Sequence, residues 1–305
     1  MKNLKLSILL VSILSFTSCD RTVEFIPEQS DIVETPEGII EDVISVQNFT
    51  VDPEIGDTLI SEEGATLILP PFLCEYGNSG GPCIGEIEVT FVEAYNKKDM
   101  LLSGKPTMAD EQMLESGGEF YINITQGGEQ VYIIEGQQYE IKVPVANTRS
   151  DSTRMKVYLG LEGTAGNFTW ELNENLNAPI DNGNYNIVYD ELDTWINLDY
   201  PTDLDPLTTI STELDPEELI TDSTRVFVAF KNVNSVVEMS REDNLFIAKN
   251  IPAGQEIYLV AITKGDTENI YLGLNSVISE PDLAWKLNLN QVSLEELNTQ
   301  LDAIK

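Results

Sequence analysis

From residue 46 onward the chain alternates apolar and polar positions with a period of two. "GEIEVTFVEAY" sets Ile87, Val89 and Phe91 against Glu86, Glu88 and Thr90. "GEFYINIT" does the same with Phe120, Ile122 and Ile124, and "YEIKVPV" with Tyr139, Ile141 and Val143. That period belongs to strands with one buried face. "ATLILPP" is a short apolar run closed by two prolines, and "QGGEQ" and "IEGQQ" supply turns. Short strands separated by Gly-rich turns predict an antiparallel β-sandwich.

Further strands follow in "RMKVYLGL", "NFTWELNE" and "NYNIVYDELDTWINLDY", which either complete the first domain or begin another. The acidic, proline-bearing stretch 201–224 then reads as a linker with one short helical turn at "DPEEL". Beyond it, "STRVFVAFKNV", "NLFIAKNIPAGQEIYLVAI" and "ENIYLGLN" predict a second, smaller β-rich domain. In "VSLEELNTQLDAIK", Ser293 and Glu296 have capping-box spacing, and Leu294, Leu297, Leu301 and Ile304 make a helical stripe. The expected class is mostly β: a sandwich over 46–200, the linker, and a β-rich domain over 225–305 ending in a helix packed on that domain.

Charge narrows the function. With 52 acidic and 17 basic residues the chain carries −35 and contains no histidine. Such a field repels nucleic acid and anionic membrane surfaces, which excludes a nucleic-acid role, and it attracts divalent cations or basic partners.

The first residues set the compartment. "MKNLK" is a basic region, "LSILLVSILSF" an apolar run of signal-peptide length, and Thr17-Ser18-Cys19 follows. This resembles the signal of bacterial lipoproteins, Bacteroidota-type versions included, although Phe16 replaces the usual aliphatic residue. The resemblance implies removal of 1–18, acylation of Cys19 and an acidic tether over 19–45. It also implies residence at the cell envelope, at the outer membrane, on a side the sequence does not specify. Cys74 and Cys83 then remain as an even pair in an exported chain, the arrangement of a disulfide. Two thiolates without histidine cannot complete a tetrahedral zinc site.

Between those cysteines, "GNSGGP" is similar to the segment around the nucleophile of trypsin-like proteases. A serine nucleophile needs a base, and no histidine exists to serve Ser79. Lys97, Lys98 and Lys105 lie in a charged, polar stretch with nothing to desolvate an amine. The segment therefore reads as a turn.

The remaining candidates use oxygen ligands, carboxyl pairs or aromatic rings. Asp199, Asp203 and Asp205, or the "DNGNYN" run from Asp181 to Asn186, could offer calcium its oxygens, though neither follows the EF-hand pattern. A glycosidase could work with two carboxylates alone, but no pair stands out. Trp170 alternates with Phe168 and Leu172 as a core residue would, whereas Trp195 is the residue expected to be exposed for a glycan, with Trp285 a further candidate. Asn48, Asn123 and Asn167 head N-x-T triplets that a bacterial lipoprotein would not ordinarily use.

Residues 64–95 resemble the start of the β-sandwich domain of ankyrins and netrin receptors. Gly64, then Leu67, Ile68 and Leu69 ending in Pro70-Pro71, then Ile87, Val89 and Phe91 carry the likeness. "LLSGKPT" is similar to that family's middle, where a polar loop feeds the next strand. The resemblance implies a scaffold or interaction module. The sequence thus leads to a non-catalytic envelope lipoprotein, with a glycan- or calcium-dependent ligand-binding lipoprotein as the alternative and a glycosidase third. No cofactor beyond calcium is implied, and the partners are the membrane, through the lipid, and envelope proteins or glycans.

Overall fold

The computed structural model describes residues 44–77, 80–148, 153–162, 168–265 and 269–304. Cys19, Ser79, Asn167, the signal segment and all of the tether before residue 44 lie outside them. The fold is mostly β. Two β-sandwiches follow one another along the chain, each with its own apolar core.

In the first sandwich, strands Val46–Val51, Ile87–Ala94, Gln112–Gln126, Thr194–Pro201, Lys156–Glu162 and Phe168–Leu172 pair in that spatial order. Facing them is a sheet of Asp57–Ile60, Thr66–Leu69, Tyr139–Pro144, Asn184–Tyr189 and Ile180–Asp181. The period-two residues of the sequence fill the space between: Ile87, Val89, Phe91, Phe120, Ile122, Ile124, Tyr139, Ile141 and Val143 are all buried in one core. Residues 156–201 complete this sandwich and start no other. "DNGNYN" is a tight hairpin turn, with Asn182 and Gly183 both at positive φ, the conformation that favours Asn-Gly there. Cys74 and Cys83 are disulfide-bonded across a Cα separation of 5.7 Å, and both are buried.

The stretch 201–224 is not an exposed connector. Its middle, Leu207–Asp215, is a strand that pairs antiparallel with Leu245–Pro252 and parallel with Ala284–Asn288. Ile210, Thr212 and Leu214 point inward and are buried, while the intervening acids and threonines are more exposed. The high acid content masks an ordinary alternating strand. The opposing sheet consists of Val236–Glu238, Arg225–Phe230, Glu256–Lys264, Ile270–Ile278 and Asn290–Val292.

This second sheet is covered on both faces. Val226, Val228 and Phe230 enter the sandwich core, whereas Phe227 and Ala229 face two helices. A strand buried on both sides needs no polar alternation, which explains the unbroken apolar run in "RVFVAF". The first helix, Lys97–Ser103, corrects the expectation of a polar stretch there. Asn96 caps it by accepting from the Asp99 amide, Gly104 ends it in the left-handed conformation, and Met100, Leu101 and Leu102 are buried. The second, Leu294–Asp302, has the anticipated Ser293/Glu296 capping box. Leu297, Leu301 and Ile304 pack with the first helix against the sheet, but Leu294 is exposed. Lys98 and Asp302 join the helices at 2.9 Å.

The sandwiches share more than a connection. Gln112–Gln126 runs through the first core, yet its residue Met113 is buried in the second. At the seam, the Asn234 side chain donates to the carbonyls of Tyr95 at 3.0 Å and Ser116 at 2.8 Å. The Ser116 amide donates to the Asn234 carbonyl, and the Thr107 amide to that of Val236. The Thr107 hydroxyl accepts from the Val236 amide at 2.9 Å. Asn234→Ala removes the donor from two buried carbonyls and is expected to lower unfolding free energy by about 1–3 kcal/mol. Ser293→Ala, a cap loss, is expected to cost about 1 kcal/mol. Urea denaturation followed by tryptophan fluorescence and far-UV circular dichroism measures both, and coincident midpoints of the two probes in Asn234→Ala would show the halves still unfolding together.

Candidate functional site

Two features stand apart from ordinary core and surface. One is a groove of about 850 Å³ along the seam. Met108, Asp110, Glu111 and Phe168 contribute from the first sandwich, and Asp222, Arg225, Glu238, Arg241, Glu242 and Lys249 from the second. Arg225 is engaged in a two-pronged ion pair with Glu238. Arg241 donates to the carbonyls of Asp243 at 2.9 Å and Thr221 at 3.0 Å, which fixes its guanidinium beside the groove. Phe168 lies edge-on to Trp170, with centroids 4.8 Å apart, and carries the Lys105 ammonium 4.2 Å above its ring. The groove therefore offers a braced aromatic ring, guanidinium groups and exposed carboxylates.

The other feature is polar and sealed. Glu119 and Asp199 are both fully buried, on adjacent strands. Glu119 stands opposite Asn197, and Ser116 opposite Asp199, because a bulge between Leu198 and Asp199 shifts the register. Gly118 makes the bulge feasible: its φ is +140°, and a Cβ there would lie 2.9 Å from the Tyr95 ring. The Ser116 hydroxyl donates to Asn197 at 3.0 Å, and the Asn197 amide donates to Asp199 Oδ2 at 2.8 Å. Both oxygens of Glu119, Oδ1 of Asp199 and Oδ1 of Asn234 lack a protein hydrogen-bond partner.

Burial raises the Glu119 carboxyl well above the ordinary range, and the neighbouring Asp199 raises it further, with Lys105 opposing and Asp99 adding. Burial likewise raises Asp199, against the hydrogen bonds of Ser116 and Asn197 and with a further push from Glu115. Desolvation disfavours the charged form, so both acids favour being neutral. By contrast, buried Glu93 accepts from Gln47, Ser61 and the Glu63 amide.

These placements revise several expectations. Asp199 belongs to the sealed cluster, Asp203 pairs with Arg154 at 2.8 Å, and Asp205 is exposed. The three do not converge, and among the described residues no group of three or more acids, cysteines or histidines could hold a metal ion. Trp195 is not an exposed platform: it is buried with Tyr121, Tyr158 and Trp170, because its strand lies between two others under the 105–111 segment. Trp170 is in the core, donating to the Pro106 carbonyl at 2.9 Å, and Trp285 is half-buried in the second sandwich. Asn123 is buried, bonded to Gln130, whereas Asn48 is exposed. Lys97 is buried, and Lys98 and Lys105 are ion-paired.

The sequence did carry a sign of the sealed cluster. On the face opposite Phe120 and Ile122 lie Glu119, Tyr121 and Asn123, and "TWINLDY" places Asn197 and Asp199 on the face of Trp195. Both faces are buried, Glu119, Tyr121, Asn123, Asn197 and Asp199 alike. Comparison with protein-family models and with curated proteins gives no match.

Because Glu119 and Asp199 bind protons more tightly folded than unfolded, their contribution is complete below the ordinary carboxylate range. It is lost as pH rises toward their raised folded values. Glu119→Gln cannot ionise, so the difference in Tm, variant minus wild type, should increase steadily from pH 4 to pH 8. Asp199→Asn should behave alike. Parallel Tm–pH curves for wild type and both variants would show that these groups do not titrate abnormally.

Proposed function

We propose that this protein is a non-catalytic interaction module of the bacterial cell envelope, lipid-anchored at Cys19. The observation that supports this most is the seam. Two filled sandwiches joined by a shared strand and buried hydrogen bonds make one stiff body, suited to presenting surfaces in a constant relation. Glu119 and Asp199, whose carboxyls burial shifts upward, are fully buried and do not line the groove, so neither is presented to a substrate there. The terminal signal supports the anchor: a lipid on Cys19 with an acidic tether would hold this body off the membrane.

In a bacterial host, the full chain should sediment with membranes and take up an alkyne fatty acid, and Cys19→Ala should abolish both. Photo-crosslinkers introduced singly at Lys249, Ile278 and Ile84, all exposed, should give discrete adducts from at least one position. No adduct from any of them, or turnover of an envelope glycan by the purified chain, would overturn the interaction reading.

A second reading, glycan binding, is favoured by the groove itself. Phe168 beside carboxylates and guanidinium groups is the mixture that stacks on and hydrogen-bonds a sugar. Phe168→Ala should then abolish retardation in affinity gels that contain envelope polysaccharide, and unchanged retardation would remove this reading.

A further inference from the structure

At the end of the first sandwich remote from the seam, apolar side chains stand exposed on a frame that holds them rigidly. Ile55 and Ile84 are each 71 % exposed, Phe72 51 % and Tyr132 49 %, with Tyr76 at the margin. The frame is continuous. The Phe72 amide donates to the Pro53 carbonyl at 2.7 Å, and the Ile134 amide to that of Leu73. Cys74–Tyr76 pairs with residues 131–133 on one side and with Gly81–Pro82 on the other. The Gln126 side chain donates to the Ile84 carbonyl at 2.8 Å, the Tyr76 hydroxyl donates to Glu129, and the disulfide closes the base.

Phe72 has φ +56°, a conformation that a bulky L-residue adopts only under strain. Gly56 permits the close turn beneath it, since a Cβ at that position would lie 2.4 Å from the Leu69 carbonyl oxygen. The strained backbone thus turns an aromatic ring into solvent, where it stabilises nothing in the core.

Charge specifies what such a surface accepts. No lysine or arginine occurs between residues 22 and 96 or between 106 and 141, the segments that build this end. Asp52, Glu54, Asp57, Glu86, Glu88 and Glu129 are exposed there. A second copy of the chain would meet like charge, and so would an anionic lipid surface.

Resting on the interaction reading above, we propose that this end is a docking surface for a cationic partner, a basic protein segment carrying apolar side chains. Apolar contacts with Phe72, Ile55 and Ile84 would supply affinity, and the carboxylates would steer encounter and select for Lys and Arg.

The test uses the full chain and, as probe, a synthetic amphipathic peptide of lysine and leucine. The double variant Phe72→Gly/Ile84→Ser should weaken peptide binding at least tenfold, and Tyr132→Ser should weaken it independently. Ile278→Ser, 52 % exposed on the second sandwich, should leave binding unchanged. Phe72→Gly suits the positive φ, and equal thermal melts verify folding. Binding by the double variant within twofold of wild type overturns the proposal. So does Ile84-dependent sedimentation of the Cys19→Ala chain with bare phosphatidylcholine vesicles, which would make the end a lipid surface. In the envelope, adducts from Lys249 but none from Ile84 defeat this proposal and spare the general reading. An absence of adducts from every position defeats both.

Discussion

The second half of this fold depends on a few buried hydrogen bonds made through Thr107, Ser116, Asn234 and Val236. They lie where the long Gln112–Gln126 strand leaves one core and enters the other. In a low-dielectric interior a bonded polar network is firm, and an unbonded one is costly. Any hinge at the seam would strand the carbonyls of Tyr95 and Ser116. The groove beside it, the braced Arg241 and Phe168 held edge-on to Trp170 therefore inherit a set geometry, in contrast to sites between domains on flexible linkers.

The electrostatics divide into an outside and an inside. Outside, the chain carries a net charge of −35, and whole segments hold not a single cation. Inside, Glu119 and Asp199 avoid adding to that field by favouring the protonated state, while Glu93 is satisfied by three donors. Two charged carboxylates buried this close in register would repel, and burial favours the neutral form of each. The same acid-rich composition thus places charged carboxylates at the surface and carboxyls that favour the neutral form in the interior.

Much of the fold was legible in local pattern. The strands around Ile87–Phe91, Phe120–Ile124 and Tyr139–Val143, the stapled cysteines and the Ser293 cap are each decided within a few residues. The misreadings share a cause. In 201–224 acids on the solvent face of a strand imitated a linker, and in "NKKDMLLSGK" two lysines and an aspartate hid the buried face of a helix. Trp195 and Asp199 share one face of a strand paired on both sides, and that face is buried rather than open to solvent. Which layer covers a face is a long-range property. Period two reports that a face differs, not what lies over it. The groove has no local signature at all, since its two walls come from separate segments, residues 106–111 and 168 on one side and 222–250 on the other.

The pairing of the two helices has a kinetic side. The Lys98–Asp302 contact spans 204 residues, so the apolar face of Met100, Leu101 and Leu102 has no helical cover until nearly all the chain is available. Long loop closures of this kind slow folding, and they prolong the exposure of surfaces that aggregate. Until residues 294–304 are available, the apolar face of the first helix is the surface most open to contact with other chains.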